Sequence, residues 1–234
     1  MTKALYLEDC YLKEFEAEVT KVENNKIVLN QTAFYPESGG QLTDKGKLVK
    51  DSEEFNVSMV KKQGPDIFHK VDKEGLKEGD KVKGIIEWGR RYKFMRYHTA
   101  SHVLSTVVNK ETGAQITGNQ IKEDEARVDF NLEEFDREKL KEYEQKANEI
   151  IAKALPVELK FLPREEAFKI PALVKLKMML PETIKIIRVV EIQGFDQQAC
   201  AGTHVKNLDE IGKIEITKAE NKGANNRRVY FKLV

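Results

Sequence analysis

Two short stretches of this chain carry residues able to hold a metal ion. In "YHTASH" His98 and His102 stand at i and i+4, and in "ACAGTH" Cys200 and His204 repeat that interval. On a helix four residues make about one turn, so both imidazoles of the first pair leave one face within reach of a single ion. The chain has only four histidines and two cysteines, so the two pairs use most of its ligating side chains. A thiolate with imidazoles suits Zn²⁺ rather than Mg²⁺ or Ca²⁺, which take oxygen ligands. We therefore expect about one zinc per chain on His98, His102, Cys200 and His204. Four protein ligands would close a structural site, whereas three and a water would leave a Lewis acid open for chemistry. Spacing keeps both open. A substantial helix in a domain with ample core has little need of a metal staple, which favours the functional site. Cys10 and His69 lack such company and read as a small buried hydrophobe and an ordinary strand residue.

The elements that must position these pairs fall into two parts. Up to residue 89, segments such as "EFEAEVTKV", "KIVLNQ", "FNVSMVKK" and "DKVKGIIEW" alternate apolar with polar residues and are divided by "ENN", "GPD" and "KEGLKEGD". That pattern predicts a β-rich unit over residues 1–89 of small-barrel type. From residue 90 the period changes. "GRRYKFMRYHTASHVLSTVVNKETG" places Tyr97, Val103, Leu104, Val107 and Val108 at helical spacing, with Gly113 set to end the helix. "EEFDREKLKEYEQKANEIIAKAL" predicts a second helix with Leu140, Tyr143, Ala147, Ile150, Ile151 and Ala154 on its apolar face and Glu142–Lys146 and Glu149–Lys153 as i,i+4 pairs. Strands "PVELKFLP", "IKIIRVVEI", "KIEITKAEN" and "RRVYFKLV" follow. Residues 90–234 thus read as α+β, long helices laid on a mainly antiparallel sheet in an α/β sandwich. Lys175, Lys177 and "MMLP" suggest a loop.

Bulk composition excludes several classes. Forty basic residues against thirty-nine acidic ones give a formal net charge of +1, so a polyanion must be met by a local patch. No apolar run reaches the roughly 18 residues of a membrane span, and the N-terminus lacks the apolar segment of a signal peptide. With two cysteines and no disulfide framework, a soluble cytoplasmic protein is expected.

"HTASH" and "CAGTH" resemble the paired HxxxH and CxxxH motifs of the alanyl-tRNA synthetase editing domain and of its freestanding relatives, the AlaX proteins. "FYPESGGQLTDKG" is similar to the glycine motif in the β-rich segment before that domain, and "NKGANNRRVYF" to its closing strand. Four motifs in the family's order cover nearly the whole chain. The medium-length AlaX class fits best, because the glycine motif is present and the chain stops directly after the editing fold, with no C-terminal tRNA-binding extension. The resemblance implies ATP-independent deacylation, in trans, of alanine tRNA wrongly charged with serine, with glycine as a second candidate. Zinc on His98, His102 and Cys200, with His204 in the shell or close behind it, would orient the substrate and lower the pKa of a water.

Other residues gain candidate roles beside these. Thr117 and Gln120 in "GAQITGNQI" follow the histidine helix, where the family places a pocket-facing threonine, and a buried partner for the serine hydroxyl would exclude alanine. Gly39 and Gly40 can take positive φ and bring backbone close to a ligand, or simply make a hairpin turn. Arg90, Arg91, Lys93 and Arg96, with Lys222, Arg227 and Arg228, form basic clusters suited to tRNA phosphates. Two other readings compete: a zinc-stapled, non-catalytic RNA-binding module, and a zinc hydrolase of a small amide or ester, the protease form of which is weakened by the absence of HExxH. A monomer and a weak dimer are equally compatible with the sequence.

Overall fold

The structure, a computed structural model, describes residues 1–133, 137–178 and 180–234; of residues 137 and 175–178 it describes the backbone alone. A short strand β1 (Lys3–Ala4) and a 3₁₀ turn lead into β2 (Glu14–Glu23), β3 (Lys26–Leu29), β4 (Gln31–Thr32), β5 (Gly46–Lys50), β6 (Glu53–Gln63), β7 (Asp66–Val71) and β8 (Lys81–Ile86). Six of these close into a barrel in the order β2-β3-β7-β6-β5-β8. The alternation explains the closure, because every second side chain points inward. Phe15, Val19, Ile27, Leu48, Phe55, Val60 and Ile67 fill the interior and lie at 7% exposure or less. His69 is also inside, fully buried, so it is more than an ordinary strand residue: one ring nitrogen meets Thr32 Oγ1 at 2.8 Å and the other Ile27 O at 3.0 Å.

Helix α1 (Trp88–Thr112) follows directly and ends, as expected, on Gly113 in the left-handed conformation (φ 76°). It is buried nearly all round from Phe94 to Val108, as befits a helix enclosed by its neighbours rather than laid on a surface. Around it lie β9 (Ile116–Ile121), β10 (Ala126–Phe130), α2 (Arg137–Ile151), β11 (Val157–Pro163), the short α3 (Arg164–Ala167), a 3₁₀ segment (Pro171–Met178), β12 (Ile186–Ile192), β13 (Asp196–Ala199), β14 (Ile214–Asn221) and β15 (Arg227–Leu233). They form two antiparallel sheets, β14-β15-β10-β9 and β11-β12-β13. The architecture is α+β.

Several expectations need correction. "ITGNQI" is a strand, not a loop; its Gly and Asn obscure the strand signal. Helix α2 ends at Ile151, and Ala154 lies beyond it at φ 49°. Lys146 pairs with Glu111 of α1 at 2.8 Å rather than along its own helix with Glu142, and Glu149 accepts from Gln145. The loop expected around Lys175 and Lys177 has its backbone in the 3₁₀ segment; the side chains there, and Met179, lie outside the described residues. Cys10 is buried at 2% exposure, as expected. Among the described residues no helix is long and apolar enough to cross a membrane.

Candidate metal centre

His98 and His102 project from the middle of α1, and Cys200 and His204 come from the loop after β13. The ligating atoms of all four lie within 4.8 Å of one another. Cys200 Sγ is 3.5 Å from His98 Nε2 and 3.3 Å from His204 Nε2. A tetrahedral zinc with ordinary bonds of about 2.3 Å to sulfur and 2.0 Å to nitrogen would put those donors about 3.5 Å apart, so the set fits the ion in type and size.

The opposite nitrogens of His98 and His204 are hydrogen-bonded by different elements, and that of His102 faces a carboxylate. His98 Nδ1 donates to Gln41 Oε1 at 2.8 Å, and Gln41, fully buried, donates its own amide to Thr203 Oγ1 at 2.9 Å. The Thr99 hydroxyl donates to Met95 O, which leaves Oγ1 to accept from His204 Nδ1 at 3.1 Å. His102 Nδ1 faces Asp196 Oδ2 at 3.6 Å, and Gln198 anchors that carboxylate at 3.0 Å. With Nδ1 bonded in His98 and His204, the lone pair on Nε2 of those two rings points to the centre, whereas His102 Nδ1 is buried without a hydrogen bond and has only the Asp196 carboxylate near it. Sequence reasoning missed all three partners. Only Gln41 left a signal, by following the glycine pair.

Electrostatics favour the thiolate form of Cys200 here. Burial alone would push the Cys200 thiol up, but the His98 and His204 rings, with hydrogen bonds from His102 and His204, hold it well below its ordinary range. Burial opposes protonation of His102, yet Asp196 and Cys200 beside the ring raise it to about 9. Burial, and the His98 ring next to it, push His204 well below its usual value. Gly202 is needed at its place: a Cβ there would stand 2.0 Å from His98 Cε1.

A cavity of about 250 Å³ opens over these ligands, walled by Gly39, Ser101, Ser105, Asn119 and Gln198. The glycines are brought to it by a tight turn. Ser38 and Gln41 exchange backbone hydrogen bonds at 3.2 and 2.9 Å, with Gly39 at φ 55° and Gly40 at φ 81°. Positive φ at both central residues is the two-residue hairpin geometry that twists correctly for its strands. Gly39 lines the cavity. Gly40 instead packs on β9: its carbonyl accepts from Ile121 N at 2.7 Å, and a Cβ would lie 2.2 Å from Asn119 Oδ1. Its close approach is to protein rather than to a ligand.

Thr117 and Gln120 do not line the cavity. Asp129 and Phe130 pair with Gly118 and Ile116, so Thr117 is the extra residue of a β-bulge. The bulge puts Ile116 and Asn119 on one face, over the ligands, and leaves Gln120 on the other, where it accepts from Arg127 at 3.3 Å. Thr117 is exposed and donates to Asn226 at 3.2 Å. Asn119 is the polar residue that β9 presents to the cavity, and its amide makes no hydrogen bond among the described residues.

The basic clusters are mostly committed elsewhere. Arg91 is fully buried, bound to Asp44, Cys10 O and Ala33 O, so it braces the barrel against α1 and cannot meet a phosphate. Arg90 donates to Thr43 O and pairs with Glu123. Arg96 donates to Ile211 O. Arg227, 7% exposed, holds Gly223 O, and Arg228 pairs with Asp129. Lys93 and Lys222 are more open but carry Asp124 and Glu220 at 2.8 and 2.9 Å. Side chains on a buried helix and on sheet strands find partners inside the fold, which the linear cluster cannot show.

Comparison with known proteins gives matches of two kinds. Residues 3–90 match the family described as tRNA synthetases class II (A), and residues 187–230 the one described as threonyl and alanyl tRNA synthetase second additional domain. The chain is 55% identical to the alanyl-tRNA editing protein AlaX-M of Methanosarcina barkeri over the whole of both proteins. It is 48% identical to the protein of that name from Saccharolobus solfataricus, covering 99% of this chain and 98% of that one. To the alanine–tRNA ligase of Pyrococcus furiosus it is 40% identical, covering 98% of this chain but 26% of the ligase.

Proposed function

The chain belongs to the AlaX family of alanyl-tRNA editing proteins, and from that membership we propose that it is a trans-editing hydrolase that removes serine, and glycine as a second substrate, from mischarged alanine tRNA. The observation that carries this reading is the convergence of His98, His102, Cys200 and His204 beneath a cavity walled by both the barrel turn and β9. These four residues would hold zinc. Bound there, zinc supplies a Lewis acid for an ester carbonyl and lowers the pKa of a water.

The chain's own residues set up the rest. Gln41 and Thr99 fix the His98 and His204 rings, and Asp196 stands 3.6 Å from His102, so the candidate ligands need little reorganisation when substrate arrives. The bare backbone of Gly39 leaves room for the acyl group beside them. Asn119 offers the serine hydroxyl a hydrogen-bond partner, and alanine would leave that amide unpaired, a difference that favours serine. Water attacks the ester carbonyl, the bond to the ribose oxygen breaks, and that oxygen leaves with a proton. No covalent enzyme intermediate is needed.

The deciding experiment is release of amino acid from alanine tRNA charged with serine, glycine or alanine, run beside metal analysis. We expect about one zinc per chain, rapid loss of serine, slow loss of alanine, and no turnover by His98→Ala. Equal rates for all three, or an active His98→Ala protein, would end the proposal.

A further inference from the structure

We propose that the outer face of the barrel sheet β3-β7-β6 docks the phosphate backbone of the tRNA while the cavity holds its acylated end; this rests on the tRNA substrate proposed above. The register defines the face. Ile27, His69 and Val60 lie side by side across the three strands and point inward, each at 1% exposure or less. Their neighbours along each strand must point out. One outward row is Lys26, Lys70 and Met59, and the next is Val28, Phe68 and Lys61, of which Val28 is covered at 2% exposure. Lys62, opposite the inward Ile67, is off this face by register but is exposed at the strand end next to Lys61. Lys26, Lys61, Lys62 and Lys70 are all exposed.

These lysines differ from those of the arginine-rich segments in having no acid to hold. Glu23 lies opposite Lys26 but is taken by Lys21 at 2.5 Å, and Asp66 faces the chain's amino group at 3.6 Å. Among the described residues, Lys26, Lys61, Lys62 and Lys70 make no ion pair. Lys26 and Lys70 moreover stand directly opposite one another. Like charges in that position cost stability, so the pair points to a polyanion that compensates it. Phe68 lies in the middle, with Lys21 Nζ 5.7 Å from its ring.

The face runs into the proposed site. Val60, the residue before Lys61, accepts from Glu37 N at 3.2 Å and donates from its own N to Thr43 Oγ1 at 2.8 Å. Glu37 is followed by Ser38 and Gly39, the wall of the cavity. A nucleic acid whose end enters the cavity past that turn meets β6 as the next surface. Phosphate contacts from lysines give affinity and salt sensitivity without reading sequence.

The test replaces Lys26, Lys61, Lys62 and Lys70 together by Ala. A control loses four exposed lysines from the other part of the molecule, Lys139, Lys141, Lys153 and Lys213. Binding of serine-charged tRNA is measured against salt, alongside serine release from full tRNA and from a short serylated oligonucleotide of the acceptor end. We expect the barrel variant to bind tRNA at least about tenfold more weakly and to flatten the log–log salt slope by about 3, at roughly 0.7–0.9 per phosphate contact. Its turnover of the short oligonucleotide should match the parent, as should all properties of the control. Unchanged affinity and slope in the barrel variant, or an equal loss in the control, overturn the docking surface. A parent that releases no serine overturns the hydrolase reading instead, and the binding series still decides the surface.

Discussion

Gly202 shows how tightly single residues are fitted around the ligands. A methyl group there would overlap the His98 ring at 2.0 Å, and His98 cannot retreat because Gln41 holds its far side. Gly202→Ala should therefore lower zinc affinity, by roughly the 10–100-fold seen when a ligand's support is disturbed, while the neighbouring exposed Ala201→Gly should not. Competition with a chromogenic chelator measures both. Selectivity belongs to this scale too. Asn119→Ala should change the ratio of serine to alanine release by about tenfold, the worth of one buried hydrogen bond. Thr117→Val should leave the ratio unchanged, because that hydroxyl faces Asn226 at the surface. The reverse result would return the discriminating contact to Thr117.

At the scale of elements, the barrel carries a pH-sensitive strand pairing. His69 bridges β7 to β3 and β4 from the barrel interior, and burial lowers its pKa from 6.5 to about 4 despite the hydrogen bond to Ile27 O. As pH falls, the unfolded chain takes up this proton first. The contribution is therefore fully present above pH 6.5 and is lost progressively between 6.5 and 4. Urea unfolding of the parent and of His69→Gln at pH 7.5 and 4.5 isolates the effect. Acidification should weaken the parent more than the variant, by about 2–3 kcal/mol. Equal losses would mean that His69 is not held neutral. The sequence marked β7 by its alternation and left His69 without a role, since the two groups that bond it lie on other strands.

For the whole molecule, the two main apolar clusters lie inside the barrel and around α1, the second with Cys200 packed against its edge. Chelation should accordingly abolish deacylation, lower the melting temperature by removing a ligand of the native state, and leave the far-UV circular dichroism nearly intact. Collapse of secondary structure on chelation would make zinc a folding staple instead. What the sequence determined by itself was whatever sits within one element. The i,i+4 pairs named four residues whose ligating atoms the fold brings within 4.8 Å of one another, alternation predicted the barrel, and Gly39 and Gly40 marked a turn that the structure places beside them. Tertiary structure decided everything that depends on pairing between elements. One bulged residue at Thr117 exchanged the faces of β9 and brought Asn119 to the cavity in place of Gln120. Asp44, forty-seven positions away, drew Arg91 into the interior. The register of β3, β7 and β6 aligned lysines that are scattered along the chain. Spacing in sequence fixes direction only along a continuous helix or strand, whereas register, bulges and burial are set by the partner strand and by the packing that satisfies its polar groups.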